Sequence, residues 1–289
     1  MTTISLTVPN VLGKNTEAIE EFYLLVGNPT PTNRYTFDMS GINFAKPYGV
    51  VALVIAARRL SILSNRPVYL ENIPEQVHLY LNRMNLFQIG SDWLRPATTL
   101  NEEWSRSSQT PNLLELTLIT GPSDVLNVAA RAERIFSRWL MVPDLNSLIN
   151  VISELCSNIY QHSGDSYGCV LIQKYGMPTR DQVVVNLAVG DLGCGIRGSL
   201  IKRHGEFGRV PLDYLRAAMS GQTARRTGRG GLGLRQVERI AASEGGYLWL
   251  RSETAAILSR GQDRTQEHQN IALVPGTQVA VEFCAPLRT

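Results

Sequence analysis

The chain has 289 residues, of which 44% are hydrophobic, and a formal net charge of +3. This length exceeds that of a typical single domain, and the apolar content is sufficient for two buried cores. The mild positive charge does not indicate a nucleic-acid partner. Four scattered cysteines without a Cys-x-x-Cys pair offer no metal site, and the first ten residues lack a basic start followed by an apolar core. We therefore expect a cytoplasmic protein with reduced thiols.

The first hundred residues alternate between strand and helix patterns. The predicted elements are a strand at Tyr35–Asp38, a helix over Val50–Leu63, a strand at Pro67–Leu70 and a helix over Pro74–Met84. Pro47 suits the first turn of a helix, where its missing amide is not needed. The longest apolar run, Gly49–Ala57, is followed by Arg58 and is much shorter than the roughly 20 residues of a membrane span. No membrane association is expected.

A polar segment, Glu102–Asn112, is interrupted by Pro111 and is the predicted linker between two domains, at residues 1–110 and 111–289. The pattern then restarts. The predicted elements are strand Leu114–Thr120, helix Asp124–Leu140 capped by Ser123 or Asp124, helix Asp144–His162, a hairpin of strands Cys169–Tyr175 and Val183–Val189 around Pro178, a helix from Leu232 to Ser243, and strands Tyr247–Ser252 and Gln278–Phe283.

Three polar residues, Glu154, Asn158 and His162, share one face of the predicted helix because their spacing is i, i+4, i+8. An Asn and a Glu one turn apart could hold a divalent ion and a water. Magnesium prefers hard oxygen ligands and keeps most of its waters, so one amide oxygen and substrate phosphates would suffice. Taken singly, each residue is equally typical of a solvent-exposed helix face.

Glycine-centred motifs follow this helix. They are Asp191-Leu-Gly193-Cys-Gly195, Gly228-Arg-Gly230-Gly231-Leu232-Gly233-Leu, and the pair Gly276-Thr277. Glycine runs of this kind form tight turns whose backbone amides can approach a phosphate chain at a helix N-terminus. An isolated Asp-x-Gly is also typical of an ordinary turn.

These elements, in this order, make residues 112–289 resemble the GHKL, or Bergerat-fold, ATP-binding domains. Sensor histidine kinases, type II topoisomerases, chaperone ATPases and anti-sigma-factor serine kinases share this domain. The N box corresponds to Glu154–His162, the glycine boxes to Asp191–Gly195 and Gly228–Leu234, and the last box to Gly276-Thr277. The resemblance implies an α/β sandwich, with a mixed sheet carrying helices on one face, that binds ATP and Mg²⁺.

The resemblance also implies a role for each motif residue. Glu154 would be the general base that deprotonates a water or an acceptor hydroxyl, and Asn158 would hold magnesium. Asp191 would accept a hydrogen bond from the exocyclic amine of adenine, and Thr277 would join it through water. His162 would contact phosphate or the lid, although complementing the charge of the helix end explains it equally well. The remaining predicted ATP-binding residues are Gly193, Gly195, Gly228, Gly230, Gly231, Leu232 and Gly233. The basic segment Leu200–Gly230 would be the lid that closes over the triphosphate.

The order Phe44-Ala-Lys-Pro-Tyr-Gly49, apolar helix, strand and Tyr80-Leu-Asn-Arg-Met-Asn85 makes the N-terminal part resemble a STAS-like domain, a small α/β fold related to anti-sigma-factor antagonists. In those antagonists a phosphorylatable serine lies at the start of the corresponding helix. Here that position reads Ala45-Lys46-Pro47-Tyr48, which argues against a phosphorylation switch.

Two functions stay open at this point. None of the four histidines lies on a long heptad-patterned hairpin, so a complete sensor histidine kinase is not expected. The first function is an ATP- and magnesium-dependent regulator with ATPase or anti-sigma-type serine/threonine kinase activity toward a partner protein. The second is a nucleotide-switched binding module with little or no turnover. A homodimer is compatible with either, because several members of the family dimerise through this fold.

Overall fold

A computed structural model describes residues 2–13, 15–98, 112–177, 182–222, 233–243, 245–261 and 264–288. The first part of the chain, here called the N-terminal unit, comprises β1 (Thr3–Thr7), β2 (Val11–Leu12), α1 (Thr16–Val26), β3 (Arg34–Asp38), β4 (Phe44–Ala45), α2 (Pro47–Ser64), β5 (Val68–Glu71), α3 (Glu75–Arg83), α4 (Leu86–Ile89) and β6 (Leu94–Pro96). All four elements predicted in this region are present, with bounds shifted by at most three residues. β1, α1 and the short elements β2, β4, α4 and β6 were not predicted.

The N-terminal unit is built on a parallel sheet with strand order β1-β3-β5-β6. Helical crossovers connect successive strands of this sheet, as parallel pairing requires. Alternate strand residues such as Leu6, Phe37 and Leu70 are buried, whereas Ser5 and Tyr69 on the opposite face are exposed. One face of the sheet therefore packs on helices and the other faces outward.

α2 is the central helix of the molecule and begins with Pro47 in its first turn, as predicted. It continues through Arg58 and Arg59, both buried, although the sequence suggested that its apolar run stops there. Its length and hydropathy match those of a membrane-spanning helix, but 89% of it is buried inside the protein. An all-round apolar surface is what a helix between two sheets requires.

The second part of the chain, the C-terminal unit, comprises β7 (Leu113–Ile119), α5 (Pro122–Phe136), α6 (Val142–Asn158), a π-helical turn (Ile159–Ser163), β8 (Gly168–Met177), β9 (Gln182–Gly190), α7 (Gly195–His204), α8 (Pro211–Ser220), α9 (Gly233–Ser243), β10 (Tyr247–Ser259) and β11 (Thr265–Pro286). Every element predicted here is present, although β10 and β11 extend well beyond their predicted bounds. The turn at Pro178 and most of the predicted linker lie outside the described residues, so the domain boundary stays a prediction.

The sheet of the C-terminal unit has strand order β10-β11-β9-β8-β7, and its described pairs are all antiparallel. The prediction of a mixed sheet is therefore wrong, because none of the described strand pairs in this sheet is parallel. Two helices, α5 and α6, lie between β7 and β8 and bring the chain back to the end at which β7 finishes. Ile119 accordingly pairs with Gly168, and β8 runs opposite to β7.

The cap of α5 also differs in detail from the prediction. Gly121 is the N-cap residue, and Asp124, in the first turn, accepts hydrogen bonds from the amides of Thr120 (2.8 Å) and Gly121 (3.1 Å). Asp124 therefore caps the helix from within its first turn rather than from the preceding position.

Helices cover both faces of the second sheet. α5, α6, α8 and α9 pack on one face, whereas α1 and α2 of the N-terminal unit pack on the other. The contact is close: a Cβ at Gly190 on β9 would lie 2.8 Å from Val51 Cγ1 on α2. The indole N–H of Trp249 donates to the hydroxyl of Tyr48 across the same interface (2.9 Å). One apolar core thus joins the two units.

Candidate nucleotide-binding site

A cleft of about 790 Å³, including its open mouth, lies between the end of α6, the loop after β9 and the starts of α7 and α9. Seven of the predicted site residues line it: Glu154, Asn158, His162, Asp191, Gly195, Gly233 and Thr277. Gly193 lies in the loop after β9, whereas Gly228, Gly230, Gly231 and Leu232 lie outside the described residues. The structure thus brings residues from all four sequence motifs into one cleft.

The N-box helix changes its geometry inside the motif. α6 ends at Asn158, and the π-helical turn follows, so His162 does not continue the α-helical spacing that the sequence suggested. π-helical turns occur frequently at functional sites. The hydroxyl of Ser163 donates to the carbonyl of Ile159 (2.6 Å), and the Ser163 carbonyl accepts from the amide of Cys194 (2.8 Å). The turn therefore ties the helix end to the first glycine box.

Asp191 follows β9 directly and is only 4% exposed. Its Oδ1 accepts hydrogen bonds from the amides of Gly193 (2.8 Å) and Thr277 (3.3 Å). Among the residues that the structure describes, no donor reaches Oδ2. Burial raises the pKa of this carboxyl to about 7, the nearby charge of Asp165 acts in the same direction, and the two amides oppose the rise. A buried acceptor without a donor at Oδ2 suits a ligand amine.

Thr277 contacts Asp191 directly through its main chain. Its amide donates to the Asp191 carboxylate, and its carbonyl accepts from the Asp191 amide (3.0 Å). The connection through water that the family resemblance implies for the Thr277 side chain stays a prediction. Gly276, with φ of +80°, allows this approach, because a Cβ there would lie 2.1 Å from the Asp191 carbonyl oxygen.

Gly193, in the first glycine box, likewise lies too close to neighbouring backbone to carry a side chain. A Cβ at Gly193 would lie 2.1 Å from the carbonyl oxygen of Ser163. Gly195 adopts φ of +67° at the start of α7, a conformation that L-residues rarely adopt. The first glycine box is therefore tightly packed between the π-helical turn and β11.

The start of α9 faces Glu154. Gly233 and Leu234 line the cleft, so the N-terminal end of an 11-residue helix lies at its wall. Backbone amides and the helix dipole at such an end favour an anionic group such as phosphate. Glu154 on α6 lies against Gly233 at this helix start, and Asn158 lines the same cleft.

The segment predicted to be a lid is partly a packed structure. α7 and α8 occupy its described portion, and Leu200, Tyr214 and Leu215 on them are buried. Arg216 pairs with Glu267 on β11 (2.6 Å). The residues up to Gln222 therefore form a wall of the cleft, and the rest of the predicted lid lies outside the described residues.

Apolar walls of the cleft were not identified from the sequence. Ile196, Leu200, Leu234, Leu250 and Val279 line it. These residues suit the faces of a purine ring, but no sequence signal distinguishes such residues from ordinary core positions.

Metal binding in the cleft would rely on few protein ligands. Among the described residues, no group of three or more His, Cys, Asp or Glu side chains could hold an ion. Asn158 offers one hard oxygen at the cleft wall, which fits a magnesium ion that takes its other ligands from water and phosphate.

Comparison with known families agrees with this site. Residues 144–287 match the family described as histidine kinase-, DNA gyrase B-, and HSP90-like ATPase. That range begins in the first turn of α6 and contains all the cleft residues. No curated protein matches the chain. Residues 144–287 therefore form a GHKL-type ATPase domain, as the sequence motifs indicated, and this family implies ATP binding and a regulatory function of the ATPase or kinase type.

Proposed function

We propose that this protein binds ATP with magnesium in the cleft and regulates a partner protein, as a cytoplasmic ATPase or serine/threonine kinase of the anti-sigma type. The observation that carries the proposal is the buried carboxylate of Asp191, which faces the same cleft as Glu154, Asn158 and the start of α9. This arrangement provides separate places for a base, a metal and phosphates.

Each residue then has one task. Oδ2 of Asp191 accepts the adenine amine, and apolar side chains such as Ile196 and Val279 cover the ring. Asn158 would hold magnesium, and the ion would supply neutralisation of the charge on the phosphate oxygens. Glu154 accepts the proton of the attacking water or hydroxyl when that group is within hydrogen-bond reach.

The N-terminal unit is proposed to be a STAS-like domain that contributes to partner recognition. Its four-stranded parallel sheet with helices on one face supports this assignment. The position that carries serine in the antagonists is here near Tyr48, whose hydroxyl is buried and bonded to Trp249. A phosphorylation switch is therefore not part of the proposal.

Calorimetry of the full chain with ATP and magnesium tests the proposal. We expect saturable binding of ATP, and the absence of binding by both ATP and ADP at millimolar concentration would overturn it. Incubation with γ-labelled ATP then separates the activities: released phosphate indicates an ATPase, and label on a partner captured from the host indicates a kinase. Binding without either product favours the nucleotide-switched binding module.

The role of Glu154 has its own test. Glu154→Ala should abolish turnover and leave ATP affinity nearly unchanged, because the base acts on the attacking group rather than on the bound nucleotide. Glu133→Ala, at an exposed glutamate on α5, is the matched control and should change neither quantity. Loss of ATP binding in the Glu154 variant would contradict the assignment.

A further inference from the structure

Arg58 of the N-terminal unit is connected to the first glycine box through one carboxylate. Its guanidinium donates to both oxygens of Asp165, at 2.9 Å and 2.7 Å. Oδ2 of Asp165 also accepts from the amide of Leu192 (2.8 Å), the residue between Asp191 and Gly193. α2, which lies outside the ATPase domain, is thus linked to the loop after β9 by two successive interactions, from Arg58 to Asp165 and from Asp165 to Leu192.

The Arg58–Asp165 pair is buried and fixed in orientation. Arg58 is 2% exposed, and the ring centroids of Trp93 and Tyr167 lie 4.9 Å and 5.4 Å from its guanidinium carbon. Burial acts to raise the pKa of Asp165, but hydrogen bonds from Arg58 and the Leu192 amide outweigh it and hold the pKa below its usual value. The carboxylate is therefore ionised at neutral pH and able to hold the amide.

A second connection reaches the same loop from α1. Glu20 pairs with the fully buried Arg251 (2.7 Å), and Arg251 donates to the side-chain oxygen of Gln278 (3.3 Å). The side-chain amide of Gln278 in turn donates to the carbonyl of Asp191 (3.1 Å). The carbonyl of Asp191 and the amide of Leu192 belong to one peptide group, so the N-terminal unit holds this group from both sides.

We propose that Arg58, acting through Asp165, is a positioning residue for nucleotide recognition, so that docking of the N-terminal unit sets the affinity and base selectivity of the cleft. The inference rests on the proposed function, because it concerns ATP in the same cleft. The peptide held from both sides directly follows the Asp191 Cα and fixes the direction of its side chain. By thermodynamic linkage, ATP binding then strengthens the docking of the N-terminal unit by the same factor.

Removal of Arg58 would leave Asp165 as a buried charge without its cation, which forces the carboxylate to protonate or to move toward water. Protonation would weaken the hydrogen bond from the Leu192 amide, and movement toward water would break it. The second buried connection would still hold the Asp191 carbonyl, so the loop should loosen rather than unfold. The expected effect is therefore on the recognition of the base and not on the binding of phosphate.

Arg83 offers a matched control. It pairs across the same two units with Glu115 (2.8 Å), and neither residue lines the cleft. Arg83→Met also removes an interdomain ion pair, although Glu115 keeps its pair with Arg131 (2.6 Å), and both variants keep an apolar side chain of similar length. A general loss of interdomain stability would affect both variants, whereas a positioning role is confined to Arg58.

The experiment compares ATP, GTP and inorganic tripolyphosphate binding by calorimetry in the full-length variants. We expect Arg58→Met to weaken ATP binding about tenfold, the effect of one lost charge-assisted contact, and to leave tripolyphosphate binding unchanged. GTP binding should change little, so the ATP/GTP ratio falls. Arg83→Met should leave all three affinities unchanged, and an unchanged ATP/GTP ratio in folded Arg58→Met would overturn the inference.

Two further measurements keep the test decisive. If Arg58→Met does not fold, the double variant Arg58→Met/Asp165→Leu removes both charges and should fold, yet it should show the same loss of selectivity. If the unmodified protein binds no nucleotide, the proposed function fails, and hydrogen exchange of the Leu192 amide tests the positioning separately. Exchange should be faster in Arg58→Met than in Arg83→Met, and equal exchange in the two would contradict the positioning role.

Discussion

Gly233 at the start of α9 lies against the carboxylate of Glu154, so that a Cβ at position 233 would lie 1.9 Å from Glu154 Oε1. The last described glycine of the second box and the expected base of the N box are therefore in direct contact. Absence of a side chain at position 233 is what allows α9 to approach Glu154 this closely.

The first prediction follows from this contact. Gly233→Ala should displace the Glu154 carboxylate, because the end of a flexible side chain moves more readily than the backbone of α9. ATP turnover should then fall at least about tenfold, while the melting temperature changes little. Steady-state hydrolysis and thermal unfolding are the measurements.

Gly121→Ala is the control for that substitution, since a Cβ at position 121 would meet no atom within 4 Å. It should leave turnover unchanged. Full activity in Gly233→Ala would show that the position of Glu154 does not limit the reaction.

Much of the site was predictable because its polar residues lie at the ends of regular elements. Asp191 directly follows a predominantly apolar strand, and Glu154 and Asn158 lie one turn apart on an amphipathic helix. Such patterns arise from residues that are close together in the sequence, so hydrophobic periodicity detects them. The family match over residues 144–287 confirmed the GHKL-type ATPase domain that the motifs indicated.

Other features depend on contacts that spacing cannot show. The π-helical turn at Ile159–Ser163 has no residue signature that separates it from a continuing α-helix. α7 is polar on most of its surface and shows no apolar stripe. The sequence analysis therefore assigned its second half, from Leu200, to the lid rather than to a helix. Arg58 looked like the end of an apolar run, yet its partner Asp165 is 107 residues away in the sequence.

The second prediction concerns magnesium. Asn158→Ala removes the one oxygen ligand that this residue offers, so it should weaken binding of ATP with magnesium but not binding of ADP in the presence of a chelator. Calorimetry under both conditions measures the difference. Equal losses under both conditions would indicate that Asn158 contacts the nucleotide itself rather than the ion.

The third prediction concerns pH. The folded pKa of Asp191 is about 7 and its ordinary value is 3.8, so stability contributed by the neutral carboxyl is present below about pH 4 and is lost as pH rises through 7. The adenine amine requires the ionised carboxylate as its acceptor. The affinity for ATP should therefore rise as the pH rises through 7, opposite to this contribution to stability. Affinity should fall about tenfold from pH 8 to pH 6.

Asp191→Asn is the control, because the phosphates and the purine titrate equally in both proteins. The ratio of the two ATP affinities should depend on pH with a midpoint near 7. A ratio that stays constant from pH 6 to pH 8 would show that this carboxyl does not change its ionisation on binding ATP.

The last prediction concerns the choice between ATP and GTP. In the proposed complex, Oδ2 of Asp191 would face the purine position at which adenine presents an amine and guanine presents a carbonyl. With GTP, two acceptors would face each other in a buried site, which costs about 1–3 kcal/mol and more for a charge. The unmodified protein should therefore prefer ATP by roughly tenfold to a few hundredfold. Asp191→Asn should weaken ATP binding and narrow this preference, because an amide can donate as well as accept. Competition binding of ATP and GTP to both proteins measures the effect, and equal affinities of the unmodified protein for the two nucleotides would show that Asp191 only shapes the turn.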